Sequence, residues 1–364
     1  MLLIKDLDKM FSENKSTSLT ADRSLVKRVI RTMPFEKNDT VILKTEAFDD
    51  KKITPFRSEV KAPGLFEPST LYQYIGQEQA KDQIKTAINI IRDLRPIHIM
   101  FNGWAGCGKT TLARITANML NANFIYRVPE QLEDVDKLLE VINIIQSTER
   151  LSVLMLDEIH TLSKFPRVAN VLLPILQDWK YGDVNIRPFV MIGATTDLDM
   201  LIKRQSPLVS RFQFKINLDK YTPQELTVII KNYKEAMYKD RPISEEDYKI
   251  IAQNSRGIPR EAIALLLKQL VTKDIKKVLK QSKIIKDGLT EIDVKILKTL
   301  AQNEKPMGAS YLSQAACIPQ ADYEAIYERY LVEQGLVMRL SRGRTITDEG
   351  KRFLTDIKGT QNDK

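Results

Sequence analysis

Short apolar runs alternate with longer stretches of helical periodicity over residues 71–217. The runs with the length and residue types of buried strands are 97–102, 124–128, 153–156, 189–194 and 212–218. Helical spacing of apolar positions separates them, most clearly at 110–120 and 135–146. This alternation predicts an α/β architecture, a parallel sheet with crossover helices. Ligands of such sheets bind where the strands end, so functional side chains are expected there.

The remainder of the chain is predicted to be mainly helical. Segments of helical spacing are 223–238, 245–254, 260–271, 289–302, 308–317 and 320–334. The first three predict a small helical lid domain. The last three precede two short apolar runs, 336–340 and 345–347, on either side of a turn at 341–344. Three helices followed by a two-stranded hairpin predict a winged helix, a frequent reader of duplex DNA.

Changes in composition indicate the domain boundaries. We predict an N-terminal extension of unknown role, a large α/β domain, a small helical domain, a winged helix and a disordered tail at 1–68, 69–219, 220–288, 289–355 and 356–364. The extension ends in a linker rich in proline and glycine. A lysine-rich segment at 268–286 is interpreted as a solvated helix face or a flexible joint rather than as a DNA-contacting surface.

Composition is that of an ordinary globular protein, with 43% hydrophobic and 28% charged residues in 364. No uncharged run is long enough to span a bilayer and the start does not resemble a signal peptide, so we expect a cytoplasmic protein with no membrane partner. The net charge of +9 suits a polyanionic partner. Cys107 and Cys317 form neither a disulfide framework nor a zinc cluster, and both are expected to be small apolar residues.

The sequence Gly103-Trp104-Ala105-Gly106-Cys107-Gly108-Lys109-Thr110 fits the phosphate-loop pattern G-x-x-x-x-G-K-[ST]. Glycines let the backbone wrap phosphates, and the following helix directs its free amides at them. Lys109 is expected to neutralise the phosphates of ATP, and the Thr110 hydroxyl to bind Mg²⁺. An apolar run before the loop and a helix after it make a chance match improbable. The predicted phosphate-binding residues are Gly103, Gly106, Gly108, Lys109, Thr110 and Thr111.

Two carboxylates, Asp157 and Glu158, end the apolar run at 153–156. Asp157 is the candidate partner of Mg²⁺, and Glu158 is placed to orient and polarise the attacking water. Thr196 follows the next predicted strand and is a candidate for holding the same water. A strand that ends in acidic residues is common, and it is the phosphate loop upstream that favours the catalytic interpretation.

Arginines beyond the sheet are candidates for contacts with phosphate. Arg211 is the candidate cation for a neighbouring subunit's γ-phosphate, where it would make hydrolysis depend on assembly; Arg204 is the competitor for that role. Pro259 and Arg260 open a helix, where proline suits the first turn and the arginine can point at bound phosphate.

Taken together, these motifs resemble AAA+ ATPases and, within them, the RuvB family of Holliday-junction branch-migration motors. The matching words are Tyr74-Ile75-Gly76-Gln77, the phosphate loop, Leu156-Asp157-Glu158-Ile159-His160, Ile192-Gly193-Ala194-Thr195-Thr196, Tyr221-Thr222-Pro223-Gln224-Glu225-Leu226, Gly257-Ile258-Pro259-Arg260, Ile326-Tyr327-Glu328-Arg329-Tyr330-Leu331 and Arg342-Gly343-Arg344. The resemblance spans residues 69–354 and rests on no single motif.

The resemblance implies a role for individual residues. Adenine contacts are implied for Tyr74, Ile75 and Tyr221, the first sensor is Thr196, the finger acting on the adjacent subunit is Arg211, and the second sensor is Arg260. His160 is expected to pack or to hydrogen-bond beside the site. DNA-backbone contacts are expected from the wing residues Arg339, Arg342 and Arg344.

The family also implies a function, an ATP-driven ring, hexameric by analogy, that translocates DNA. Two alternatives are an ATP-dependent helicase or clamp loader and a nucleotide-regulated transcription factor, the latter disfavoured because Arg-Gly-Arg suits phosphate rather than base contact. In the family, the segment before the first-sensor strand forms a hairpin that docks the partner RuvA. Here only residues 180–188 lie between Trp179 and Phe189, so this hairpin is expected to be shortened or absent. A RuvA-like partner is therefore doubtful. Val209 stands where the family usually has a second arginine.

Overall fold

A five-stranded parallel sheet forms the centre of the part of the chain that the computed structural model describes, residues 67–362, with side chains to residue 357. The strands in chain order are β1 (Ile99–Gly103), β2 (Asn123–Arg127), β3 (Ser152–Leu156), β4 (Lys180–Tyr181), β5 (Val184–Asn185), β6 (Val190–Thr195), β7 (Phe214–Leu218), β8 (Ile284–Lys286), β9 (Leu289–Thr290), β10 (Val337–Leu340) and β11 (Gly343–Ile346). The central sheet has the order β2-β3-β6-β1-β7, and β4-β5, β8-β9 and β10-β11 are two-stranded hairpins.

Helices pack on both faces of this sheet and form the two domains that follow it. They are α1 (Glu78–Asp93), α2 (Lys109–Met119), α3 (Val135–Ser147), α4 (Pro166–Asp178), α5 (Leu198–Val209), α6 (Pro223–Met237), α7 (Glu245–Gln253), α8 (Pro259–Thr272), α9 (Ile275–Gln281), α10 (Glu291–Ala301), α11 (Ala309–Ala316), α12 (320–333, continuous through Gln320–Asp322, Tyr323–Glu328 and Arg329–Glu333) and α13 (Asp348–Asn362). Short 3₁₀ turns occupy Pro129–Leu132 and Ile159–Lys164.

The sheet explains the apolar runs that the sequence shows. Every residue of β3 and β6 is buried, because helices cover both faces of a parallel sheet. The α/β prediction is confirmed, and the five predicted strands lie within one or two residues of the observed bounds. Insertion of β6 between β3 and β1 brings three strand ends side by side. These ends carry the phosphate loop, the acidic pair and the predicted first sensor.

The predicted lid and winged helix are both present. Lid helix α6 begins with a capping box, in which Glu225 N donates to Thr222 Oγ1 (3.2 Å) and Thr222 N donates to Glu225 Oε2 (2.8 Å). Apolar residues of α6, α7 and α8 belong to the same core as one face of the sheet. The winged helix has its own core around fully buried Tyr323 and Leu312.

Arg256 joins the lid to the winged helix. Its Nε donates to the carbonyl of Gly288 (2.7 Å), and its guanidinium pairs with Asp293, a fully buried carboxylate on α10. Asp293 also accepts from the backbone N (2.7 Å) and hydroxyl (2.6 Å) of Thr290. A buried carboxylate needs such partners, because an uncompensated charge there is very costly.

Several predicted boundaries need correction. The boundary at 288/289 falls inside the β8-β9 hairpin, and the tail predicted to be disordered from 356 is helical as far as Asn362. The lysines of 268–286 are exposed on α8, α9 and β8, which agrees with a solvated helix face. The predicted N-terminal extension lies outside the described residues except for its last two. Among the described helices, none has the length and apolar character needed to cross a bilayer.

His98 is a buried histidine next to the sheet. It is 1% exposed, its Nε2 donates to the carbonyl of Leu176 (3.0 Å), and its Nδ1 accepts from the amide of Met191 (3.1 Å). One neutral tautomer satisfies both bonds. Burial lowers the pKa of His98 from 6.5 to about 4, although the bond to Leu176 opposes this.

The neutral ring therefore stabilises the fold above pH 6.5, and this contribution is lost as the pH falls towards 4. We expect His98 to account for about 2 kcal/mol of lost unfolding free energy between pH 7.5 and pH 5. Urea unfolding at both pH values measures it. A His98→Gln variant should lose this part of the pH dependence, and the matched variant His160→Gln should retain it. An equal pH dependence in His98→Gln and wild type would contradict the assignment.

Candidate nucleotide-binding site

A cleft of about 560 Å³ lies between the sheet and the lid. Predicted site residues that line it are Tyr74, Ile75, Gly106, Gly108, Lys109, Thr110, Thr111, Asp157, Glu158, Tyr221, Pro259 and Arg260. They come from five distant parts of the sequence. The fold therefore brings most of the predicted nucleotide site into one cleft, while Gly103, Thr196 and Arg211 lie outside its lining.

The phosphate loop connects the end of β1 to the start of α2. Gly106 and Gly108 have φ of 82° and 96°, the left-handed region that glycine adopts without strain. Lys109 is 6% exposed, and its Nζ donates to the carbonyls of Gly103 (2.8 Å) and Trp104 (3.0 Å). Burial lowers the pKa of Lys109, whereas Glu158 and Asp157 raise it. Within residues 67–357 no carboxylate lies within ion-pairing distance of this cation, so the loop suits an anionic phosphate.

Gly106 also lets the lid approach the phosphate loop. A Cβ at this position would lie 2.7 Å from Cβ of Arg260, which is closer than side chains can stand. Arg260 is the second residue of α8 and points its cation into the same cleft as Lys109. The loop glycine is therefore required for the lid arginine to reach the position predicted for a second sensor.

A hydroxyl and a carboxylate suitable for a divalent cation face each other beside Lys109. The Thr110 hydroxyl donates to Asp157 Oδ2 over 3.2 Å. Oxygen ligands of this kind suit Mg²⁺, which keeps several waters. Tyr126, which the sequence did not single out, also donates its hydroxyl to Asp157 Oδ2 (3.2 Å). Its only signal is its place near the end of the strand next to β3.

Glu158 is held by side chains from the next strand end. The hydroxyl of Thr196 donates to its Oε2 (3.0 Å), and His160 Nδ1 lies 3.2 Å from the same atom and 3.1 Å from Oγ1 of buried Thr195. The backbone of Glu158 has φ 48° and ψ 44°, an uncommon left-handed conformation for a residue with a side chain. His160 thus has the hydrogen-bonding place predicted for it, and Thr196 contacts the catalytic candidate directly.

The other end of the cleft is aromatic and apolar. The hydroxyl of Tyr221 donates to that of Tyr74 (2.8 Å), which donates to the carbonyl of Cys107 in the phosphate loop (3.1 Å). Burial raises the pKa of both phenols. Apolar lid residues missed by sequence reasoning complete this end, namely Ile229, Tyr233 and Ile263. Their helical spacing is the same as that of core residues, so no sequence signal separates them from the core.

Arg211 lies just beyond α5, outside the cleft of its own chain. It is half-buried, and its Nη1 donates to the hydroxyl of Ser210 (3.1 Å) while its buried Nε has no partner within the described residues. The competitor Arg204 is exposed on α5, and Val209 is buried in the core. An arginine that does not line its own cleft is consistent with action on another subunit, and this role stays a prediction.

The three wing arginines do not form one surface. Arg344 Nε and Nη2 donate to the fully buried carboxylate of Glu328 (2.7 and 3.1 Å), which also pairs with Arg339. Arg342 is exposed in the turn between β10 and β11. Arg344 therefore braces the wing from within, whereas Arg339 and Arg342 are both solvent-exposed.

The fold and the cleft agree with comparisons to known proteins. Residues 66–218 match the family model described as the Holliday junction DNA helicase RuvB P-loop domain, and residues 286–355 match the RuvB C-terminal winged helix domain. The Holliday junction branch migration complex subunit RuvB of Nitratiruptor sp. is 32% identical over 322 residues, covering 81% of this chain and 93% of the relative.

The relative from Thermotoga maritima, with the same name, is 31% identical over 331 residues, covering 83% of this chain and 96% of the relative. A solved structure of the Thermotoga maritima RuvB Holliday junction branch migration motor superimposes with a TM-score of 0.67 at 32% identity, covering 79% of this chain and 98% of that one. Near-complete coverage of these relatives, in both the ATPase and the winged-helix parts, shows that the chain belongs to the RuvB family.

Proposed function

We propose that this protein is an ATP-hydrolysing, ring-forming motor that moves duplex DNA at branched recombination intermediates. The observation that carries the proposal is the arrangement in one cleft of buried Lys109, the Thr110–Asp157 pair and Glu158 held by Thr196. Family membership supports the same reaction and the same class of DNA substrate. A cytoplasmic location follows from the proposed action on DNA.

Each residue of the cleft has its own role in hydrolysis. Lys109 and the loop amides hold the phosphates, and the aromatic end with Tyr74 and Tyr221 takes the base. Mg²⁺ bound by Thr110 and Asp157 would supply positive charge at the phosphate oxygens. Glu158 orients the attacking water and accepts a hydrogen bond from it, while Thr196 holds the carboxylate in place.

Assembly completes the site. The cleft is lined by Lys109 and Arg260 from its own chain, but not by the predicted finger Arg211. An arginine supplied by a neighbour stabilises charge in the transition state and makes hydrolysis depend on the oligomer. We propose a hexameric ring, in which each cleft receives Arg211 from the adjacent subunit.

DNA contact is proposed for the exposed face of the winged helix. Arg342 at the turn of the wing suits a phosphate, and the net charge of +9 favours a polyanion. Such contacts position the protein without reading sequence, as a motor that moves along DNA requires.

The β4-β5 hairpin bears on the partner of this motor. Each strand has two residues, the turn contains Gly182 with φ 57°, and Val184 is 64% exposed. A hairpin with two-residue strands is therefore present, and the expectation that it is shorter than the family's docking hairpin stays a prediction. We propose that so small an apolar tip does not serve as the docking platform for a RuvA-like partner.

Displacement of a triplex-forming strand from duplex DNA tests translocation without a junction-binding partner. We expect purified wild type with ATP to displace the strand, and Lys109→Ala to leave it bound. Migration of a synthetic four-way junction tests the proposed substrate in the same preparation. Hydrolysis of ATP stimulated by DNA, with neither displacement nor migration, would contradict the motor and favour the loader.

A further inference from the structure

Trp104, inside the phosphate loop, contacts the winged-helix domain. Its indole Nε1 donates to Glu333 Oε1 over 3.0 Å, and the guanidinium carbon of Arg329 lies 4.0 Å from the ring centroid. The Nζ of Lys220, which precedes the lid, is also 4.0 Å from that centroid and pairs with Glu333 Oε2 at 2.5 Å. We call Trp104, Lys220, Arg329 and Glu333 the Trp104 joint.

Arg329 makes a second contact with the ATPase domain. Its Nη1 donates to the backbone carbonyl of Thr196 over 3.1 Å. Cation–π contact and a charge-assisted hydrogen bond are each among the stronger interactions of a half-buried side chain. One guanidinium on α12 therefore touches both the phosphate loop and the end of β6.

Each of the two residues that Arg329 contacts forms a hydrogen bond to a residue of the nucleotide site. Trp104 holds Lys109 through its carbonyl (3.0 Å), and Thr196 holds Glu158 through its hydroxyl (3.0 Å). The distance between the phosphate-binding cation and the water-orienting carboxylate thus depends on two backbone segments that Arg329 ties together. Displacements of about 1 Å in such a constellation are enough to slow a reaction strongly.

We propose that Arg329 is a positioning residue for hydrolysis, through which the winged-helix domain holds the phosphate loop and the Thr196 segment in register. The inference rests on the proposed function, because it takes ATP as the substrate of the cleft. Arg329 touches neither the phosphates nor the water, and it acts through Trp104 and Thr196. Movement of the winged helix on DNA then changes the alignment of Lys109 and Glu158, so DNA bound by one domain regulates chemistry in another.

The joint can be observed without measuring activity. The chain has two tryptophans, so a Trp179→Phe background leaves Trp104 as the only indole reporter. Quenching of its fluorescence by the neutral quencher acrylamide should rise at least about twofold in Arg329→Met, because the guanidinium stacked on the ring is removed. Arg352→Met, on the exposed face of α13, is the matched control and should leave quenching unchanged. Unchanged quenching in Arg329→Met would overturn the joint.

Steady-state kinetics test the positioning role. In Arg329→Met we expect kcat for ATP to fall about tenfold or more, with KM changing less than about threefold, because the binding cation keeps its own loop contacts. Arg329→Lys, which keeps the charge over the ring but not both contacts, should be intermediate. The double variant with Trp104→Leu should be no slower than the slower single variant. Multiplying effects, or a wild-type kcat in Arg329→Met, would overturn the proposal.

The proposed function and the positioning role of Arg329 can be disproved separately. A wild-type protein that does not hydrolyse ATP would contradict the proposed function, whatever Arg329 does. A wild type that hydrolyses ATP and moves DNA, together with an Arg329→Met variant that matches it, would contradict only the positioning role. If Arg329→Met does not fold, Glu333→Gln tests the same joint, because it removes both ion pairs with little change in shape.

Discussion

Replacing Arg211 with alanine is expected to lower the turnover of ATP by about a thousandfold while nucleotide affinity stays nearly unchanged. The side chain lies outside the cleft of its own chain, so it contributes nothing to nucleotide binding there. We propose that its cation neutralises charge that develops in a neighbour's transition state. Steady-state turnover and the dissociation constant of a fluorescent ATP analogue, measured at the same protein concentration, separate the two effects.

Mixing experiments show whether the arginine acts between subunits. Lys109→Ala and Arg211→Ala are each expected to be inactive, but in mixed rings an intact Arg211 meets an intact cleft, and activity should return in part. Arg204→Ala is the matched control from the same region and should turn over ATP as wild type does. An inactive Arg204→Ala protein beside an active Arg211→Ala protein would transfer the role to Arg204.

Lys109→Ala is expected to weaken ATP binding by about a hundredfold, because it removes one partner of a buried ion contact worth roughly 2–5 kcal/mol. The wild-type cation is buried against two neutral carbonyls, and bound phosphate supplies the charge that compensates it. Isothermal titration with a non-hydrolysable analogue measures the effect.

Lys215→Ala, an exposed lysine of β7, is the matched control and should bind as wild type does. Thermal unfolding of both variants without nucleotide establishes that the loop has not collapsed. An Lys109→Ala protein that keeps wild-type affinity would show that the cleft binds its ligand in a different way.

Local patterns were sufficient to predict the sheet and the phosphate loop. Strands buried on both faces appear as apolar runs, and the glycine and lysine spacing of the loop has few other uses. The two-residue strands of β4 and β5 are too short to show a period, and the β8-β9 hairpin was missed at a predicted boundary for the same reason.

Contacts between distant residues could not be predicted. Trp104 and Glu333 are 229 positions apart, and nothing in either local sequence indicates that they meet. Tyr126 beside Asp157 had no spacing to distinguish it from a strand residue. The family resemblance implied a DNA-backbone contact for Arg344, whereas buried Glu328 pairs with it inside the wing.

The pairing of Arg256 with Asp293 has a mechanical consequence. Because the half-buried guanidinium of Arg256 joins the lid to a fully buried carboxylate of the winged helix, the two domains are expected to turn as one rigid unit rather than to flex at their junction. A small rotation of the lid around bound nucleotide would then displace the wing by an amount that grows with the distance of the wing from the rotation axis. Loss of this ion pair would therefore let the winged helix move independently of the lid.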